Sequence, residues 1–90
     1  MTVKQWKAKV ASLGCILCRH LDLGETPAEL HHPRTGLGMG ERASDLDVIG
    51  LCVEHHRGNT GVHGLGSKAF VRKYGLTEQD LLNKVKRLLA

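Results

Sequence analysis

The spacing of three cysteines and one histidine constrains the fold of this 90-residue chain more than any other feature. Cys15 and Cys18 form a CxxC pair, and Cys52 and His55 form a CxxH pair far downstream. A two-residue spacer lets both ligands of a pair turn toward one ion, and structural Zn²⁺ takes four sulfur or nitrogen ligands. The sequence therefore predicts one Cys₃His zinc site made by these four residues. His56 could replace His55, although the matching spacing of the two pairs favours His55.

The composition indicates why the fold would need such a site. Aromatic residues make up only 3% of the chain, and a domain of this length buries a smaller share of its surface than a larger one does. A structural zinc ion can contribute on the order of 10 kcal/mol to folding. The alternative is a redox CxxC or three unrelated buried thiols, but no thioredoxin-like βαβ pattern surrounds the CILC segment.

The cysteine count and the N-terminus also predict a compartment. Three cysteines cannot all pair with one another, and the lysine-containing N-terminal segment lacks the apolar core of a signal peptide. Both observations predict a reducing compartment, which we take to be the cytoplasm. No apolar run approaches the ~20 residues needed to cross a bilayer, so we expect no membrane association.

Apolar periodicity predicts one α+β domain over 1–90 with a helix at each end. Thr2 is expected to cap the first helix, which ends at Gly14. Thr77 with Asp80 resembles a capping box at the start of the last helix. The apolar face of that last helix is predicted to bury Leu81, Leu82, Val85, Leu88 and Leu89.

Two strands and two further helical segments are predicted between these helices. The AELHH segment alternates and ends at Pro33, and LDVIGLC is rich in β-branched residues, so both are expected to be strands. VEHHRGNTGVHGLG begins as a helix, but each interior glycine costs ~1 kcal/mol, so that helix must be short or interrupted. CILC is predicted to be a tight turn, and SKAFVRKYG a helix capped by Ser67 and ended by Gly75.

The histidines outside the zinc pair form a second pattern. A hairpin of AELHH and LDVIGLC, followed by the helical region, would bring four of them together as a ββα unit with a metal between hairpin and helix: His31, His32, His56 and His63. The alternative is a second structural zinc site, or simply exposed polar residues. His20 stands alone and is predicted to be a surface residue.

These motifs, in this order, resemble those of the HNH, or ββα-metal, endonucleases. The ordered set is CxxC, ELHH, LCxxHHRG, VHGLG and a following FxxxYG, and it spans most of the chain. More narrowly, the chain is similar to the phage recombination-enhancement nucleases, the RecA-dependent Ref family. The resemblance implies a hydrolase that cleaves DNA during phage recombination, in the cytoplasm of a bacterial host. It also implies that the DNA is held in a RecA filament.

The resemblance implies a role for each histidine of the second group. His31, the first of the pair at the strand end, would bind the catalytic metal with His56 and His63, and His32 would be the general base. The family's central Asn is replaced by Asp47, and Asp45 competes for the same place. Either aspartate could orient the base or bind the metal.

The residue types suit phosphodiester hydrolysis independently of the family. A neutral histidine with a pKa near 6.5 can take a proton from water near pH 7. One divalent ion can neutralise the phosphate and stabilise the leaving oxygen. Imidazole ligands favour Zn²⁺, Ni²⁺ or Mn²⁺, and Mg²⁺ becomes possible if an aspartate and several waters join.

The charge of the chain predicts a polyanionic partner. The net charge is +4 and the sequence pI is about 9.2, which suits DNA. Arg34 and Arg42 lie in the glycine-rich loop after the paired histidines, and Arg57 follows the metal helix, so all three are candidate phosphate contacts. Other functions stay open: a non-catalytic zinc-stabilised nucleic-acid-binding module, or a protein-interaction adaptor.

Overall fold

The computed structural model describes residues 2–33 and 46–90, and within them the chain is α+β. The predicted order of helix, two strands and further helices is confirmed. Along the chain the elements are α1 (Val3–Ser12), α2 (Ile16–His20), β1 (Glu29–His31), β2 (Ile49–Leu51), α3 (Val53–Arg57), α4 (Val62–Leu65), α5 (Ser67–Tyr74) and α6 (Glu78–Leu89).

The two strands form an antiparallel pair, as the sequence predicts. Leu30 lies opposite Gly50, and His31 lies opposite Ile49. Both strands are three residues long, so each is shorter than the alternating segment that predicted it. β2 is buried along its whole length and packs against α1, α2, α3 and α6. The sheet therefore holds the end of β1, where the paired histidines lie, in a fixed position beside α3.

The caps of the terminal helices are also confirmed. The Thr2 hydroxyl accepts a hydrogen bond from the Gln5 backbone N–H at 3.1 Å. α1 ends at Ser12, and Gly14 follows the C-cap residue Leu13. The Thr77 hydroxyl accepts from the Asp80 N–H at 3.0 Å, while the Asp80 carboxylate accepts from the Thr77 N–H at 2.9 Å. This reciprocal pair satisfies donors that the first turn of α6 would otherwise leave unpaired.

Three local predictions are wrong. The CILC segment is not a tight turn but the start of α2, where the Cys15 sulfur accepts from the Cys18 N–H at 3.3 Å and so acts as the N-cap. Ser67 is not a cap, because Gly66 occupies that position with a φ of 83° and Ser67 is already helical. Leu88 is 46% exposed, whereas its neighbour Leu89 packs against the core.

The core lies between the sheet and the helices. Its fully buried side chains come from α1, α2, α5, α6 and from β2 with the residue before it, so both ends of the chain contribute to it. The largest are Phe70, Ile16, Leu17, Ile49, Leu51, Leu81, Val10, Val48 and Val85. Phe70 and Tyr74 of α5 pack with ring centroids 4.8 Å apart, and Tyr74 in turn meets His55 at 5.8 Å. This stack connects the core to the predicted zinc site.

Candidate metal centres

The four predicted zinc ligands converge in the buried interior. Cys15 and Cys18 come from the start of α2, while Cys52 and His55 come from the start of α3. The Nδ1 atom of His55 lies 3.6, 3.4 and 3.3 Å from the sulfurs of Cys15, Cys18 and Cys52. The sulfurs of Cys18 and Cys52 are 3.8 Å apart.

These separations can be compared with those around a tetrahedral zinc ion. Zn–S bonds of ~2.3 Å and Zn–N bonds of ~2.05 Å place two sulfurs roughly 3.8 Å apart and a sulfur and a nitrogen roughly 3.6 Å apart. The observed distances agree with this geometry to within a few tenths of an ångström. The cluster of Cys15, Cys18, Cys52 and His55 could therefore hold a metal ion such as zinc.

Burial disfavours the charged forms of two residues in this cluster. Burial raises the pKa of the Cys15 thiol from 9.0 to about 12, because an apolar surrounding disfavours the charged thiolate. Burial also lowers the pKa of His55, which favours the neutral imidazole that a metal ligand must be. A divalent ion would supply the positive charge that thiolates in this position require.

The structure decides between His55 and His56 as the fourth ligand. The two residues are neighbours on α3, where successive side chains point about 100° apart. His55 is 8% exposed and lies among the cysteines, whereas His56 faces β1 and bonds to Glu29 at its end. α3 thus stands between two clusters and contributes one histidine to each.

The second cluster consists of His31, His56 and His63. One ligand atom from each residue lies within 4.8 Å of the others. The ring centroids are 5.0 Å apart for His31 and His56, 5.2 Å for His31 and His63, and 4.8 Å for His56 and His63. Three imidazoles bound to one tetrahedral ion place their ring centroids roughly 5 Å apart. The donor set and its spacing therefore suit a single metal ion.

The long spacing between His56 and His63 is accommodated by a tight turn between α3 and α4. A Cβ atom on Gly64 would collide with the carbonyl group of Gly58, so α4 can fold back against the end of α3 only with glycine there. The Glu54 carboxylate accepts hydrogen bonds from the Thr60 N–H at 2.9 Å and the Thr60 hydroxyl at 2.6 Å. These contacts hold the turn that returns His63 to the cluster.

The lowered pKa of His63 favours metal binding at the second cluster. Desolvation lowers the pKa of His63, and repulsion by the neighbouring His31 and His56 lowers it further. A lowered pKa keeps the imidazole neutral at pH 7, so a nitrogen lone pair is available to an ion.

Two glutamates that the sequence did not single out contact this cluster. Glu29 Oε1 lies 2.9 Å from His56 Nδ1, and Glu78 Oε1 lies 3.0 Å from His31 Nε2. The hydrogen bond from His56, together with the contact to Arg57, lowers the pKa of Glu29. Glu29 could have been found from sequence, because it lies two residues before His31 on the same strand face. Nothing in the sequence pattern connects Glu78 to His31.

The position of Arg57 changes its predicted role. Its guanidinium binds both carboxylate oxygens of Glu29, with Nε 3.1 Å from Oε1 and Nη2 2.9 Å from Oε2. A guanidinium that is already paired with a carboxylate has fewer N–H donors left for a phosphate. Arg57 therefore helps to hold Glu29 beside His56, and its contact with DNA stays a prediction.

The remaining predicted residues are only partly described. His32 is half-buried and directly follows β1. Asp47 forms an ion pair with Lys86 of α6, with 2.8 Å between Oδ1 and Nζ. The predictions for Arg34, Arg42 and Asp45 lie outside the described residues.

Comparison of the chain with protein-family models, with curated proteins and with solved structures gives no match. Among residues 2–33 and 46–90, no helix has both the length and the apolarity to span a membrane.

Proposed function

We propose that this chain is a metal-dependent DNA endonuclease of the HNH, or ββα-metal, type. The observation that carries the proposal is the convergence of His31, His56 and His63 from β1, α3 and α4. Donor sets of three side chains are typical of catalytic metal sites, whereas structural sites are closed by four. The Cys₃His cluster has four donors, so we assign it to a structural Zn²⁺ and the three histidines to the catalytic ion.

The three histidines would hold the ion through neutral imidazole nitrogens, which suits Zn²⁺, Ni²⁺ or Mn²⁺. When bound, the ion supplies positive charge that neutralises the scissile phosphate and stabilises the leaving 3′ oxygen. Mg²⁺ prefers oxygen donors, and of the candidate aspartates Asp47 already pairs with Lys86.

His32 is the proposed general base. It directly follows His31 at the end of β1, so the metal cluster and a titratable imidazole lie on adjacent residues. A neutral imidazole at this position would take a proton from the attacking water, and such proton transfer contributes typically ~10²–10⁴-fold to rate. Asp47 and Asp45 are the candidates to orient it, as the central Asn does in the family that the chain resembles.

The proposed substrate is DNA. Arg34 and Arg42 follow His32 in the sequence and would contact phosphates beside the scissile bond. The net charge of +4 would add sequence-independent, salt-sensitive attraction to the duplex. The resemblance to the recombination-enhancement nucleases adds a RecA filament as the partner that presents the DNA.

Nicking of supercoiled plasmid tests the proposal. Zinc-loaded protein is incubated with Mg²⁺, Mn²⁺, Ni²⁺ or added Zn²⁺, with and without RecA and a matching single strand. His32→Ala should slow cutting by about 10²-fold or more while both metal sites stay loaded. The matched control is His20→Ala, because His20 lies on α2 and contacts Lys84 instead of the cluster.

Each outcome separates the candidate functions. If His32→Ala nicks as fast as the parent protein, the base is wrongly assigned. One tightly held zinc ion, salt-dependent DNA binding and no cutting with any metal would instead favour the non-catalytic nucleic-acid-binding module. An adaptor would show no salt-dependent DNA binding at all.

A further inference from the structure

We propose that Glu78 is a positioning residue of the three-histidine site, and that it holds the His31 ring in the orientation needed to bind the ion. The inference rests on the proposed function for its catalytic consequence. It makes α6, which lies outside the β1–β2–α3 unit, a part of the site.

The contact is a buried one between distant parts of the chain. Glu78 Oε1 and His31 Nε2 are 3.0 Å apart, and the two side chains are 6% and 7% exposed. Both residues line a cavity of about 250 Å³ whose wall also includes His63 and Ser67. The carboxylate thus lies beside the cluster, although Glu78 is at the first position of α6, where a side chain could readily reach solvent.

Hydrogen bonding at one ring nitrogen fixes the role of the other. A carboxylate accepts but does not donate, so the bond to Glu78 requires a proton on His31 Nε2. In the neutral ring the lone pair then lies on Nδ1, which becomes the nitrogen available to the ion. Carboxylates that accept from metal-binding histidines in this way set the tautomer and the ring orientation and raise ligand basicity.

The same arrangement occurs at a second histidine of the cluster. Glu29 accepts from His56 Nδ1 at 2.9 Å, which leaves His56 Nε2 for the ion. Two of the three imidazoles are therefore oriented by carboxylates, one from β1 and one from α6. Arg57 offsets the charge of Glu29, and α6 favours an acidic side chain in its first turn because of the helix dipole.

Two variants of Glu78 separate orientation from simple packing. Glu78→Gln keeps a carbonyl oxygen that can accept from His31, whereas Glu78→Ala removes the acceptor. Loss of an outer carboxylate typically costs ~10- to 100-fold in metal affinity or activity. We expect Glu78→Ala to weaken Ni²⁺ binding in that range and Glu78→Gln to weaken it less. In nicking, kcat should fall while KM for plasmid stays close to that of the parent.

The measurements use the full chain with zinc in the Cys₃His site. Calorimetry gives the affinity for added Ni²⁺, and zinc content reports whether each variant is folded. Nitrogen-15 NMR of the imidazoles gives the His31 tautomer before nickel is added. The parent should show the Nε2–H tautomer, and Glu78→Ala a mixture of both forms. Glu25→Gln is the matched control, since the Glu25 carboxylate is 87% exposed and its ion pair at 3.9 Å is with Arg19 of α2.

Three results would overturn the positioning role of Glu78. An Nδ1–H tautomer in the parent would overturn it without any variant. So would a folded Glu78→Ala protein that binds Ni²⁺ within twofold of the parent, or a parent that binds no second ion. If nickel binding depends on Glu78 but no DNA is cut, the positioning role stands and the nuclease proposal fails. If DNA is cut but the Glu78 variants bind nickel as tightly as the parent, the nuclease proposal stands and the positioning role fails.

Discussion

Removing the metal from the Cys₃His cluster should unfold the whole domain and not only the cluster. All four ligands are buried, and the cluster joins the start of α2 to the start of α3. Between these lie β2 and its contacts with α1, α2 and α6, which form the centre of the core. Without the ion, α3 would no longer be held against Tyr74 through His55. The contact of β1 with His56 would be lost as well.

The size of the effect follows from the length of the chain and the donor set. A domain of 90 residues has a total stability of about 5 to 13 kcal/mol at the usual ~0.05–0.15 kcal/mol per residue. A structural zinc ion contributes ~10–16 kcal/mol in small domains. A zinc ion bound at this cluster would thus contribute about as much as the whole net stability. At pH 7 the metal-free site would also bury a protonated Cys15, because burial raises its pKa to about 12.

The assay is chelation followed by zinc addition. Far-ultraviolet circular dichroism should lose its helical signal with a strong chelator under reducing conditions, and recover it with one equivalent of Zn²⁺. Cys52→Ala should behave as the chelated parent. His20→Ala should not, because His20 is exposed and contacts Lys84. A metal-free protein that keeps its helical signal and unfolds cooperatively, with a stability within ~1 kcal/mol of the zinc form, would refute the reasoning.

Two further predictions concern the second cluster and the proposed DNA-binding surface. Gly64→Ala should weaken Ni²⁺ binding by the three histidines and leave zinc content unchanged, because its Cβ would collide with Gly58 and displace His63; calorimetry measures the affinity. Lys68 and Arg72 line a surface groove of about 390 Å³ that adjoins the cavity beside the cluster. Replacing both with Ala should lower the salt-dependence slope of DNA affinity by about 2, at ~0.9 per phosphate contact.

Each of these predictions has a control within the chain. For the groove, the matched pair is Lys84 and Arg87, which line a different cavity with His20. An equal drop in slope when that pair is replaced would mean that DNA affinity depends on the total charge and not on the groove. For Gly64, an unchanged nickel affinity would show that α4 can shift without moving His63 out of the cluster.

Much of the fold followed from local chemistry. The capping pair of Thr77 and Asp80 marked the start of α6 because short-range hydrogen bonds decide where a helix begins. The interruption between α3 and α4 followed from interior glycines. Cys15 was harder, since a CxxC motif is compatible with a turn and with the start of a helix. The backbone bond from the Arg19 N–H to the Cys15 carbonyl at 3.0 Å, which spans four residues, shows the helix.

In the candidate sites, too, local spacing was predictable from the sequence, whereas contacts between distant residues were not. The convergence of the two pairs was predictable because both members of each pair lie within one turn of chain, and such spacing lets them turn toward one ion. The sequence by itself thus indicated the three cysteine donors, favoured His55 over His56 as the fourth, and proposed His31, His56 and His63. The tertiary structure alone decided that His55 and not His56 joins the cysteines, since the direction of each ring depends on how α3 packs. It alone paired Arg57 with Glu29, Asp47 with Lys86 and Glu78 with His31, because contacts between residues far apart in the chain leave no periodic signal in its sequence.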